Sequence, residues 1–193
     1  MNNPFLVRIF PEPQFTAEEQ ATIIAEFRAV RFLKNDFLLA EGHTEDHYWF
    51  LERGIARSYA IDADGNDIST NFFVSGDVVI DWPSFFQRQP TRENIQALTD
   101  CTTWQLNYDA FQRLFHGIEA FREAGRARLV DSYFELKKNR VAMIADPAKV
   151  RYQRLLRERP DIIRYVPLKQ IATYLGITDT SLSRIRKELS QAQ

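Results

Sequence analysis

The chain has 193 residues and a formal net charge of −1, with 45% hydrophobic residues, 15 Phe and only 7 Gly. This composition supplies ample core material and excludes a disordered or low-complexity protein. The length favours one medium-sized domain joined to a small one. A single cysteine, Cys101, excludes an intramolecular disulfide and every cysteine-ligated metal cluster, so we interpret it as a small core residue beside Trp104.

Charge is distributed unevenly along the chain. Residues 147–193 contain ten basic and four acidic side chains, a net charge of +6, whereas the preceding 146 residues have a net charge of −7. A basic end on an acidic body is typical of a phosphate-binding module attached to a part with another role. We find no apolar run near the roughly 18 residues that span a bilayer and no signal-peptide pattern, so we expect a cytoplasmic protein without membrane contact.

The N-terminal half predicts one helix followed by strands. Thr16 and Glu19 form a capping-box pattern, which predicts a helix over about residues 17–28. From Val30 onward, short alternating runs are separated by turn residues, and the segment 62–67 predicts a tight hairpin with Gly65 at a positive φ. Several such strands, spaced by roughly 10 to 15 residues, indicate an antiparallel sandwich or jelly roll.

The helical pattern returns near Tyr108 and predicts a short helix over 108–115 and a longer one over 119–144. The longer helix carries two adjacent apolar stripes, which are Leu129, Tyr133, Leu136 and Met143, and Val130, Phe134, Val141 and Ile144. We expect one stripe to pack on the chain's own barrel and the other on a second copy of the helix. The alternative is a helix buried entirely within one chain.

The C-terminal segment predicts a helix-turn-helix. Asp146 and Pro147 are expected to end the long helix and begin the next, with Pro160 stopping that helix. Over 168–189, one apolar stripe (Ile171, Ala172 and Leu175) is followed by Gly176 and then by a second stripe (Leu182, Ile185 and Leu189). The opposite face of the second helix carries Thr180, Ser183, Arg184, Lys187 and Gln191, which suits a major groove. An ordinary helical hairpin with a solvated basic face is the alternative.

This order of elements, together with four motifs, resembles the cyclic-AMP receptor protein and fumarate-nitrate regulator (Crp/Fnr) superfamily of bacterial transcription factors. The motifs are NDFLLAEG at 35–42, YWFLERG at 48–54, SGDVV at 75–79 and ITDTSLSR at 177–184. The resemblance implies an α+β fold, in which an N-terminal antiparallel β jelly roll and a long dimerisation helix precede a C-terminal all-α helix-turn-helix domain. It also implies a homodimer that binds a pseudo-palindromic double-stranded DNA operator, with RNA polymerase as a further partner.

Domains and contact residues follow from this resemblance. We predict a sensor domain over 1–118, a dimerisation helix over 119–145 and a DNA-binding domain over 146–193. The predicted DNA contacts are Lys169, Thr178, Thr180, Ser181, Ser183, Arg184 and Lys187, of which Arg184 matches a guanine-reading position. The predicted dimer contacts are Leu129, Val130, Tyr133, Phe134, Leu136 and Val141.

The ligand pocket departs from the cyclic-nucleotide binders that this sequence resembles. The predicted pocket residues are Gly76, Asp77, Asp81, Trp82, Arg92 and Glu93. Arg92 could replace the arginine that grips the cyclic phosphate in those relatives, but Glu93 stands where a hydroxyl is expected. Because a carboxylate repels a bound phosphate in a partly desolvated pocket, we expect an effector other than cyclic AMP, or none. We predict no cofactor and no metal.

Two other functions are compatible with parts of the sequence. A cupin-like metal-dependent enzyme would use ligands such as Glu41, His43, His47 and Glu52. However, cupin ligation needs two His one residue apart on a strand, and His43 and His47 lie four apart in a predicted turn. The other alternative is a ligand-sensing module whose basic end docks a protein. We therefore predict a regulator without enzymatic activity.

Overall fold

The structure, a computed structural model, describes residues 3–191. The strands are β1 Arg28–Phe32, β2 Phe37–Leu39, β3 His47–Arg53, β4 Ala56–Ile61, β5 Asp67–Phe73, β6 Val78–Val79, β7 Asn94–Ala97 and β8 Cys101–Asn107. They form two four-stranded sheets with the orders β1-β8-β3-β6 and β2-β7-β4-β5. Every pairing between them is antiparallel, so the predicted antiparallel jelly roll is confirmed.

Helices flank this double sheet and form the C-terminal part. They are α1 Pro4–Ile9, α2 Ala17–Glu26, α3 Trp82–Gln87, α4 Tyr108–Gly117, α5 Glu119–Ala145, α6 Ala148–Glu158, α7 Pro160–Tyr165, α8 Leu168–Tyr174 and α9 Asp179–Ser190. The capping box of α2 is confirmed, because the Glu19 amide donates to the Thr16 hydroxyl at 3.2 Å and the Glu19 carboxylate accepts from the Thr16 amide. None of the helices in the described part of the chain is long and apolar enough to cross a membrane.

The predicted helix ends at Asp146-Pro147 and before Pro160 are confirmed, since α5 ends at Ala145, α6 begins at Ala148 and α6 ends at Glu158. One detail was wrong, because Asp146 does not cap α6. Its amide donates to the carbonyl of Ala142 at the end of α5, and Pro147 occupies the N-cap position. Pro160 also opens α7, because proline disfavours helical φ/ψ in the residue before it yet fits the first turn of a new helix.

The chain buries three connected sets of apolar side chains. One fills the space between the two sheets and includes Trp49, Leu51 and Cys101, the last of which is 3% exposed, as expected for a core residue. A second lies between the β1-β8-β3-β6 sheet and helices α1 to α5, where Phe121 anchors the start of α5. The third joins the C-terminal helices to the barrel through residues such as Phe72.

The expectation that one stripe of α5 packs on the chain's own barrel was wrong. Only the first turns of α5 pack there, through Phe121 and Ala124. Over residues 129–144 both stripes face outward, and their exposed fractions are Leu129 39%, Val130 43%, Tyr133 59%, Phe134 61%, Leu136 67%, Val141 50%, Met143 43% and Ile144 81%. Single exposed apolar residues are normal on a protein surface, but eight of them in one continuous patch are not. Contiguous apolar patches mark interaction surfaces.

The C-terminal helices dock on strand β5. The Thr173 hydroxyl of α8 lies 3.2 Å from both the amide and the hydroxyl of Ser69, and the Phe72 and Tyr174 rings are 5.1 Å apart. Arg159 donates to the Asp77 carboxylate at 2.6 Å. Strand β5 and helix α8 therefore share a mixed apolar and polar contact.

Two glycines with positive φ provide a matched test of this fold. Gly54 has φ +104°, and a Cβ there would lie 2.6 Å from both the carbonyl oxygen of Asp100 and the Cys101 sulfur, whereas Gly65 has φ +82° and open space around it. Both substitutions to Ala incur backbone strain, but only Gly54→Ala adds a clash with backbone. We expect Gly54→Ala to lower the free energy of unfolding by about 1–3 kcal/mol more than Gly65→Ala, measured by urea denaturation. Equal losses would contradict the close approach at Gly54.

Candidate nucleic-acid interface and ligand site

Helices α8 and α9 form a tightly joined pair at the C-terminal end. Gly176 adopts φ +64° in the turn, where a residue with a side chain would be strained. The Thr178 hydroxyl accepts the Ser181 amide at 3.2 Å and so caps α9. Ala172 of α8 and Leu182 of α9 are fully buried, because the apolar stripes of the two helices pack against each other.

The outward face of α9 is polar and carries positive charge. Thr180, Ser183, Arg184 and Lys187 are all exposed there. Among residues 3–191, none of the ion pairs involves Arg184 or Lys187, so both cations remain available to an external anion. A face of hydroxyl and guanidinium groups is suited to phosphates and to base edges.

The remaining predicted DNA contacts are placed less uniformly. Lys169 is exposed on α8. Thr178 and Ser181 are occupied by capping, since their hydroxyls lie 3.0 Å apart and Ser181 is only half-exposed. These two residues therefore position the first turn of α9, and their hydroxyls are less free than those of Thr180 and Ser183.

Two of the predicted pocket residues, Glu93 and Asp81, interact through their charges. Glu93 is half-buried, and burial raises its pKa, while the hydroxyls of Thr70 and Ser58 partly offset that rise. The charge of Asp81 raises the pKa of Glu93 further.

The other four predicted pocket residues lie elsewhere. Gly76 and Asp77 form the turn between β5 and β6, where Asp77 accepts from Arg159. Arg92 is exposed on the surface. Trp82 begins α3, and its ring lies 6.1 Å from that of Tyr48 on β3.

Sequence reasoning missed Glu45, a buried carboxyl beside this site. Glu45 is 1% exposed, and burial raises its pKa to about 8, with the nearby Asp81 charge adding to the shift. Its Oε1 accepts the His47 amide at 2.9 Å, while its Oε2 has no hydrogen-bond partner within residues 3–191. Arg88 donates to its backbone carbonyl at 2.6 Å. The sequence around Glu45 is polar and turn-like, so no sequence pattern signals its burial.

The structure gives the metal-dependent alternative no support. Within the described ranges, no three His, Cys, Asp or Glu side chains are arranged to hold a metal ion. His47 instead stacks on Trp49, with ring centroids 5.4 Å apart. His43 is exposed in the preceding turn.

Comparison with known proteins identifies the architecture. Residues 29–117 match the family model of the cyclic nucleotide-binding domain. No curated protein sequence matches the chain. Among solved structures, the c-di-GMP-responsive global regulator CLP of Xanthomonas campestris superimposes with a TM-score of 0.72 at 16% identity, over 92% of this chain and 93% of that chain.

Two further solved structures show the same likeness. FixK2 of Bradyrhizobium japonicum has a TM-score of 0.71 at 16% identity over 86% of this chain and 85% of its own. A regulator assigned to the Crp/Fnr family from Eubacterium rectale has a TM-score of 0.73 at 12% identity over 96% and 88%. The chain thus contains a jelly roll of the cyclic nucleotide-binding class, followed by a long helix and a small helical unit. As a whole the chain has the fold of these solved structures, and the fold that the resemblance implied is confirmed.

The buried carboxyl of Glu45 should make the stability of the fold depend on pH. Because its pKa in the folded state, about 8, lies above the ordinary value of 4.5, the folded protein binds this proton more tightly than the unfolded chain does. Its contribution to stability is therefore complete below pH 4.5 and is lost as pH rises toward 8. Glu45→Gln removes this titration and keeps an acceptor for the His47 amide.

We compare the free energy of unfolding of Glu45→Gln with that of the unchanged protein. We expect the difference to shift in favour of Glu45→Gln by about 1 kcal/mol or more between pH 5 and pH 8. Urea denaturation across this range measures it, with the exposed Glu18→Gln as control. A difference that stays constant with pH would refute the buried titration.

Proposed function

We propose that this protein is a dimeric, sequence-specific DNA-binding transcription regulator of the Crp/Fnr type. The observation that carries the proposal is the α9 surface, where Ser183, Arg184 and Lys187 project from a helix whose other face is packed against α8. The fold of the known regulators supports it. In this proposal the sensor domain is residues 1–118, the dimerisation helix is 119–145 and the DNA-binding domain is 146–193. Helix α9 enters the major groove.

Dimerisation is proposed from the outward stripes of α5. In a two-fold dimer the same patch from each chain would meet, so the exposed apolar side chains from Leu129 to Ile144 would cover each other. Two copies of α9 would then face successive major grooves, which requires a pseudo-palindromic operator.

The interior of the jelly roll argues against cyclic AMP as its effector. Glu93 is half-buried and lies on the same side of the extended chain as the core residue Ile95, whereas Arg92 lies on the surface. A cyclic phosphate placed there would meet the carboxyl groups of Glu93 and Asp81 instead of a guanidinium. Repulsion between these carboxyl groups and the phosphate in a partly desolvated site disfavours binding.

Arg184→Ala tests the DNA interface. We expect the variant to lose about 1–3 kcal/mol of discrimination at one base pair of each half-site, because a bidentate contact to guanine is lost. Selection of bound sequences from random DNA, followed by fluorescence anisotropy on the selected site, measures the loss. Arg186→Ala, on another face of the same helix, is the matched control and should keep the sequence preference.

An unchanged preference in Arg184→Ala would overturn the assigned groove contact. Salt titration separates DNA binding from docking of a protein partner. DNA affinity should fall linearly on a log–log plot against salt concentration, because phosphate contacts release counterions.

Phe134→Glu tests the dimer. Phe134 is 61% exposed in the single chain, so the substitution costs little in the monomer but places a charge in the proposed interface. We expect the dimer dissociation constant to rise at least tenfold, about 1.4 kcal/mol, by sedimentation velocity. Leu33→Glu, at a 67% exposed apolar residue away from α5, should leave it unchanged. Dimers of equal strength in both variants would exclude this face of α5.

A further inference from the structure

A cavity of about 350 Å³ lies outside the jelly roll, between α3, α4 and the first half of α5. Its apolar walls are five aromatic side chains, Tyr48, Trp82, Phe86, Phe111 and Phe115. Small-molecule sites in proteins are typically apolar clefts of roughly 300–1,000 Å³ with a few polar groups. The cavity therefore has the size and the lining of a ligand site.

Gly125 keeps this cavity open. It lies in the middle of α5 and lines the cavity, although glycine is less favourable than alanine in a helix interior. A Cβ at this position would meet only the Phe115 ring, at 3.7 and 3.9 Å, which is ordinary van der Waals contact. The backbone and the packing around Gly125 therefore do not require glycine, but any longer side chain would extend into the cavity.

Two walls of the cavity favour a planar aromatic ligand. The rings of Trp82 and Phe86 are nearly parallel, with an interplanar angle of 5° and centroids 5.9 Å apart. The ring of Phe111 lies 5.9 Å from that of Phe86 in an edge-on arrangement. An aromatic guest can stack on faces and edges of this kind.

The polar edge of the cavity presents two guanidinium groups. Arg122, Glu123 and Arg126 line it, and Arg126 is 70% exposed at its side chain. Within residues 3–191, Arg122 is paired with Glu119 and Arg126 with Glu123, each three residues away on the exposed surface of α5. Such exposed pairs contribute little, so a guanidinium can exchange its partner for a ligand carboxylate in bidentate geometry.

We propose that this cavity binds an aromatic carboxylate, with its ring between α3 and α5 and its carboxylate at Arg122 and Arg126. The site is distinct from the acidic interior of the jelly roll, whose carboxyl groups would repel such a ligand. It goes beyond the proposed DNA binding, because it requires neither an operator nor α9. Leu129 borders the cavity and also belongs to the exposed stripes of α5, so the ligand contacts the proposed dimer helix.

Isothermal titration of the full chain with 2-naphthoate tests the site, with 2-naphthalenemethanol as the uncharged probe of equal shape. We expect one 2-naphthoate per chain and at least tenfold weaker binding of the alcohol. Gly125→Leu, which fills the cavity, should weaken 2-naphthoate binding at least tenfold without lowering the melting temperature. Gly125→Ala should weaken it less and raise the melting temperature.

Arg126→Gln should weaken 2-naphthoate at least threefold and leave the alcohol unchanged. Arg140→Gln, the same substitution on α5 outside the cavity lining, should change neither. The proposal is overturned if the unchanged protein binds no 2-naphthoate, or if Gly125→Leu binds it equally well. A third outcome also overturns the proposal: neither probe binds the unchanged protein, and Gly125→Leu no longer dimerises. The cavity would then be part of the contact with the second copy of the chain. DNA affinity measured on the same samples shows separately whether the proposed regulator function holds.

Discussion

Helix α5 is the element on which the other parts of the molecule depend, because it is packed at both ends. At its start, Phe121 and Ala124 lie in the core beneath the jelly roll. Near its end, the Met143 methyl occupies the space that a Cβ on Gly176 would need. The turn between α8 and α9 thus rests directly on α5. The flexible Met143 side chain could move aside for a larger residue. Glycine is still favoured at position 176, because a residue with a Cβ is strained at φ +64°.

Between its two ends, α5 combines surfaces of different kinds. Its first half borders the aromatic cavity through Gly125, and its second half exposes two apolar stripes. Asn139, on another side of the same helix, accepts from Arg154 of α6 at 3.1 Å. A rotation or a small shift of this one helix would therefore alter the cavity, the proposed dimer contact and the position of the C-terminal helices together. Physical coupling between sites requires such a shared element.

The sequence predicted features that depend on local chemistry and missed those that depend on context. The capping box at Thr16, the hairpin around Gly65 and the stripes of α8 and α9 were predictable, because each is fixed by neighbouring residues. The six-residue helices α1, α3 and α7 were missed, since so short a segment shows no clear period. Neighbouring residues in extended chain point to opposite sides, so composition alone did not decide whether Arg92 or Glu93 faces inward. The pattern of α5 likewise showed two apolar stripes without showing what covers them.

The docking of α8 on β5 also determines how the molecule would lose its structure. Ile55, Phe72 and Leu98 of the jelly roll belong to the same buried cluster as Leu155, Ile162 and Ile171 of the C-terminal helices. Detaching the helical unit would expose apolar surface on both sides and break the Arg159 to Asp77 ion pair. The two parts should therefore melt together in one cooperative transition, despite their separate places in the sequence.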